Sequence, residues 1–192
     1  MKLIYIHGAN ATAESFTYIR DNLKGEDIAL EYHSSCGFEE NLKVMVSLLK
    51  EEKDLFFIGH SLGGVYSYHL AHKLSHVTKG GITLATPYGG SKHAEIMKYV
   101  FPLNTLYKEI GPNSKPIVSM KGFSIPDNWL QVVATRGNNP WIHEQNDGVV
   151  TITSMKSIPG INTIELPINH YEILVSKRTL SIIRDTVERI NT

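Results

Sequence analysis

Short apolar runs alternate with stretches of helical periodicity along almost the whole chain. Residues 2–6 predict a strand that begins almost at the first residue, and residues 28–33 alternate as a second. The continuous apolar run at 55–58, between Asp54 and Gly59, is the pattern of a strand buried on both faces of a parallel sheet. Residues 80–85, 129–135 and 162–166 supply a fourth, fifth and sixth strand. Between them, Phe16, Ile19 and Leu23 mark one face of a helix over 14–24. Leu42, Met45, Val46 and Leu49 mark a strongly amphipathic helix over 38–53. Val65, Tyr66, Tyr68, His69 and residues 71–74 read as a third helix, and 175–190 as a closing one. Strands alternating with helices imply right-handed βαβ units and a parallel sheet. No repeat, low-complexity tract or linker divides the 192 residues, so residues 1–192 are expected to form one domain.

The third strand runs directly into Gly59-His60-Ser61-Leu62-Gly63, a G-x-S-x-G pattern, and then into a helix. Strand, sharp turn and helix in that order form the context of a nucleophile elbow. A serine at so tight an apex is backbone-strained, and the positions two residues to either side are crowded by the adjoining strand and helix, which suits glycine. The turn lifts the Ser61 hydroxyl clear of the sheet. It also leaves the Leu62 N–H at a helix N-terminus, where it can stabilise a developing oxyanion.

Three further segments join this one in a resemblance to the α/β-hydrolases, and within them to the small lipases and esterases. Leu3-Ile4-Tyr5-Ile6-His7-Gly8 is similar to the first core strand ending in the His-Gly of the oxyanion loop. Ala85-Thr86-Pro87-Tyr88-Gly89-Gly90-Ser91 is similar to the Thr-Pro-His-x-Gly-Ser run of many lipases, with Tyr88 in the histidine position. Asn146-Asp147-Gly148-Val149-Val150 resembles the acid loop, so the likeness extends from residue 3 to residue 170. It implies a minimal α/β-hydrolase fold without the two N-terminal strands: a six-stranded, mostly parallel sheet, helices on both faces, and a small cap. The second oxyanion donor is then the backbone N–H of Ala9, with the His7 side chain bracing the loop.

In such a sheet the site lies at the carboxyl ends of the strands, which sorts the partners of Ser61. The base must be a histidine, since imidazole exchanges protons near neutral pH. Of nine, His170 follows the last strand at its carboxyl end and obeys the order serine, acid, histidine, with His143 second. His33 precedes the nucleophile. His60 sits inside the elbow, and its side chain is expected to point away, towards the sheet. His69, His72 and His76 lie along or beyond the elbow helix, away from the site. For the acid, Asp147 lies in the long loop after the fifth strand, between nucleophile and base, and Glu144 is its rival. Asp54 and Asp127 stand at amino ends of strands, the wrong face.

Composition narrows the function further. Nineteen basic and nineteen acidic side chains balance, so no net field draws the chain to nucleic acid or an anionic membrane. No secretory signal and no apolar run near 18 residues occur, so a cytoplasmic chain without an integral membrane segment is expected. The single cysteine, Cys36, forms no intramolecular disulfide and reads as a small packing residue. His69, His72 and His76 lack the further ligands a metal site needs and read as a solvated face. Asn10-Ala11-Thr12 matches a glycosylation sequon by chance.

Residues 87–127 break the rhythm with five prolines and four glycines, and they carry a dense apolar patch. One helix there must cover the sheet. The remainder is expected to overhang the site as a cap, with Met97, Phe101, Leu106 or Tyr107 facing an acyl chain. The expected protein is a serine hydrolase of carboxylic esters, acting on a small acyl ester or lipid-like molecule through Ser61, His170 and Asp147 without a cofactor. An acyltransferase or thioesterase would use the same residues. A hydrolase-fold binding module would be marked by loss of one of them.

Overall fold

A computed structural model describes residues 1–33, 35–91 and 109–191. Its centre is one six-stranded sheet of strand order β2-β1-β3-β4-β5-β6, with every adjacent pair parallel. The strands are β1 (Lys2–Ile6), β2 (Asp27–Leu30), β3 (Leu55–His60), β4 (Thr78–Leu84), β5 (Trp129–Ala134) and β6 (Asn162–Leu166). The helices are α1 (Thr17–Asn22), α2 (Phe38–Leu49), α3 (Leu62–Lys73), α4 (Lys115–Met120), α5 (Ile152–Met155) and α6 (Lys177–Asn191), with 3-10 turns at Ala13–Phe16 and Glu172–Leu174.

Strand side chains alternate between two cores, as a pleated backbone requires. Ile4, Ile6, Leu55 and Phe57 pack with α2, α3 and α4 through Leu42, Met45, Val65 and Ile117. Leu3, Tyr5, Phe56 and Ile58 pack on the other face with Phe16, Ile19, Ile183 and Val187. All six residues of β3 are buried, which explains the unbroken apolar run before the elbow.

The boundaries differ from the sequence expectation where a polar group leaves the ladder. Residues 14–24 divide into a 3-10 turn and α1, because Leu23 is already extended (φ −117°, ψ 104°). β2 stops at Leu30, and the Glu31 carboxylate accepts the Ala13 N–H at 2.7 Å instead. α2 stops at Leu49, and Asp54 turns the chain into β3 with φ 52°. Gly37 offers α2 no side-chain cap, so Glu109 supplies one across the fold, its Oε2 accepting the Phe38 N–H at 2.6 Å. Among the described residues no helix is long and apolar enough to cross a membrane.

Candidate active site

β3 ends at His60 and α3 begins at Leu62, so Ser61 alone makes the turn. Its backbone has φ 53° and ψ −123°, a conformation that costs a non-glycine residue on the order of 1–3 kcal/mol. Two backbone hydrogen bonds hold it there: Ser61 N–H donates to Leu84 O at 2.8 Å, and Ser61 O accepts from Gly64 N–H at 3.0 Å. The flanking glycines are there for space. A Cβ on Gly59 would lie 2.4 Å from Ser67 Oγ, and one on Gly63 would lie 2.0 Å from the Ile6 carbonyl oxygen. α3 therefore starts hard against the end of β1. Its first N–H groups, with no intrahelical acceptor, open beside the loop that carries Gly8 and Ala9.

That loop is clasped at both ends. His7 Nδ1–H donates to Gly8 O at 2.8 Å, and the ring stacks on Tyr32 with centroids 4.3 Å apart. His7 Nε2 stands 2.9 Å from Glu31 Oε2, an ion-pair distance without hydrogen-bond alignment. The other Glu31 oxygen takes the Ala13 N–H, so one side chain spans the start and finish of the loop.

Asp147 and His170 are both buried. Asp147 Oδ1 accepts the N–H groups of Val149 and Val150 at 2.9 and 2.7 Å. Oδ2 is left for His170, whose Nδ1–H donates to it at 2.6 Å, the short distance of a charge-assisted bond. In a neutral ring this puts the proton on Nδ1 and leaves Nε2 as the basic nitrogen. Glu144 and His143, the rival acid and base, both have exposed side chains.

Two histidines depart from expectation. His60 does not point away into the sheet. As the last residue of β3 it keeps the alternation of Phe56 and Ile58, which turns its ring towards the face where the chain after β6 returns. There its Nε2–H donates to the main-chain oxygen of His170 at 2.9 Å, with ring centroids 4.8 Å apart. Burial, with the neighbouring His170 ring second, pushes its pKa down to about 3, so it stays neutral. Extending the third strand by two residues would have revealed it. His69 is not on a solvated face either: it is buried, donates Nε2–H to Pro116 O at 2.9 Å and meets Phe38 and Phe123 edge-on. Tyr88 likewise serves the interior, its hydroxyl accepting from Trp129 Nε1 at 2.8 Å and bonding Thr83 Oγ1 at 2.9 Å.

Ser61, His60, His170, Ala9 and Leu62 share the wall of one cavity of about 290 Å³. Its described lining holds no carboxylate, ammonium or guanidinium, and Ile110, Val150 and Leu174 make it largely apolar. Met97, Phe101, Leu106 and Tyr107, expected to face an acyl chain, lie outside the described residues.

The fold is similar to that of lipase BlEst2 of Bacillus licheniformis in its mature form, with a TM-score of 0.72 over 96% of this chain and 90% of that one, at 15% identity. The chain has the α/β-hydrolase fold. The same α/β-hydrolase architecture is shared with a thermophilic esterase from Thermogutta terrifontis (TM-score 0.66, 14% identity, 100% of this chain and 91% of that one). It is also shared with a pyrethroid hydrolase from Sphingobium faniae JZ-2 (TM-score 0.67, 14% identity, 98% and 97%). No protein-family model matches the chain, and no curated protein matches it in sequence.

Proposed function

We propose that the protein is a serine hydrolase that cleaves carboxylic esters through an acyl-enzyme. The observation that carries this reading is the buried 2.6 Å bond from His170 Nδ1 to Asp147 Oδ2, on a cavity that Ser61 also lines. Ser61 Oγ attacks the ester carbonyl while His170 Nε2 takes its proton, and Asp147 stabilises the imidazolium that forms. The carbonyl electrons move onto oxygen, where the N–H groups of Leu62 and Ala9 receive them. Collapse expels the alcohol, which takes the proton back from His170. Water, deprotonated by His170, then attacks the acyl group and restores Ser61.

Among the described residues the lining is uncharged and largely apolar, which favours a neutral acyl ester over a peptide or a charged substrate. A lipase and an esterase among the structural neighbours agree with that reaction class. The test is turnover of 4-nitrophenyl butyrate by the wild type and by Ser61→Ala at matched concentration. Turnover by the wild type that is lost in the variant supports the reading, and equal rates overturn it.

A further inference from the structure

His170 has three polar groups besides Nε2, and each is engaged. Its N–H donates to Asp147 O at 3.0 Å and its Nδ1–H to Asp147 Oδ2 at 2.6 Å, while its carbonyl oxygen accepts from His60 Nε2 at 2.9 Å. The first two bonds join His170 to the acid loop. They fix the base relative to its acid but leave the pair free to shift together against the nucleophile. The third bond runs to the residue bonded to Ser61.

The sheet order makes that link consequential. β6, whose end launches the chain towards His170, is three strands from β3, about 14 Å at the usual strand spacing. After Leu166 the chain stays beside β5 only as far as Ile168, whose oxygen accepts the Arg136 N–H at 3.1 Å. From Asn169 onward it must lean back over the ends of β5 and β4 to reach the elbow. The His60 ring meets it there. It is 3% exposed, and a Cβ on Gly8 would be 3.1 Å from its Nδ1, so the ring fills the space between the first-strand loop and the base.

We infer that His60 is a positioning residue: its Nε2–H tethers the backbone of His170 to the nucleophile strand and so sets the distance between Ser61 and its base. The inference rests on the ester-hydrolase reading. His60 suits the task because it stays neutral. A permanent cation there would oppose the imidazolium that His170 becomes during turnover, whereas a neutral Nε2–H holds the carbonyl and adds no charge.

Two substitutions separate the donor from the ring. His60→Phe keeps an aromatic ring and loses the N–H, whereas His60→Gln keeps an N–H of similar reach and loses the ring. We expect His60→Phe to lower kcat by about ten- to a hundredfold with KM within about twofold, since sub-ångström errors in placing the base act on the chemical step. His60→Gln is expected to recover most of that loss. If His60→Phe does not fold, His60→Leu takes its place. Wild-type kcat in the variants that lack the donor, or equal damage in His60→Gln and His60→Phe, overturns the inference. A second readout uses the unaltered protein. Histidine nitrogen NMR is expected to show His60 as the neutral Nε2–H tautomer from about pH 5 to pH 8, and an Nδ1–H tautomer overturns the tether. If the wild type turns over no ester, the hydrolase reading falls together with the catalytic consequence, and the tautomer decides the hydrogen bond by itself.

Discussion

Asp147 and His170 are joined twice, by a side-chain bond of 2.6 Å and a backbone bond of 3.0 Å from the His170 N–H to the Asp147 oxygen. The double link ties the proposed acid and base to each other although 23 residues separate them. Changing Asp147 to asparagine should therefore leave the fold intact. The retained amide oxygen can still take the N–H groups of Val149 and Val150. The new NH₂ faces His170 Nδ1 and forces the proton onto Nε2, the nitrogen that must be free. We expect kcat to fall about 10⁴-fold with little change in thermal midpoint. Near-wild-type activity in Asp147→Asn, with Glu144→Gln inactive, would give the acid role to Glu144.

The elbow glycines are expected to be intolerant for a packing reason. In Gly63→Ala the new methyl would sit 2.0 Å from the Ile6 oxygen, a backbone atom with nowhere to go. We expect a loss of at least about 3 kcal/mol in urea unfolding, or no folded protein. Gly122→Ala is the control: its Cβ would meet nothing nearer than 3.7 Å, and a change within about 0.5 kcal/mol is expected.

Acid should destabilise the fold partly through His60. An unfolded histidine takes up a proton near pH 6.5, whereas folded His60 resists to about pH 3. Between those values the unfolded chain binds more protons, so stability falls as the pH falls, by up to about 1.4 kcal/mol per unit. Burial lowers His69 in the same direction. Unfolding free energies from urea titrations at pH 7 and pH 5 should differ by on the order of 2 kcal/mol from His60, and His60→Gln should flatten the slope. Parallel slopes in the two proteins would show that His60 is not buried neutral.

The pattern of the chain carried the sheet well because β-strand burial is local. Asn162–Leu166 matches the strand that the pattern predicts, and position at the carboxyl ends of the strands together with the order serine, acid, histidine singles out Asp147 and His170, which the fold brings into contact. What escaped depended on neighbours remote in sequence. With the third strand ended at Ile58, the His60 ring lost its alternation and was sent to the wrong face. His69 looked solvated because a helix is usually two-sided, yet every residue from Leu62 to Ala71 is buried, since α3 lies between the sheet and other helices. Glu109 capping α2 over 71 residues leaves no mark in either local stretch.

Substrate choice should follow the cavity lining, which is uncharged among the described residues. We expect kcat/KM to rise from 4-nitrophenyl acetate to the butyrate, each methylene contributing at most about 0.8 kcal/mol. An acyl chain of similar length ending in a carboxylate should react much more slowly, because its charge would be desolvated without a partner. A flat or falling series among the neutral esters, or a preference for the charged one, would remove the neutral acyl ester as the substrate class.

The most direct measurement is the site of reaction with a fluorophosphonate, which phosphonylates only a serine activated by its base and oxyanion donors. We expect rapid, stoichiometric modification of folded wild-type protein, mapped by peptide mass spectrometry to Ser61 and abolished in Ser61→Ala. Modification of a different serine, or none in folded protein, would contradict Ser61 as the nucleophile and leave the hydrolase fold serving another purpose.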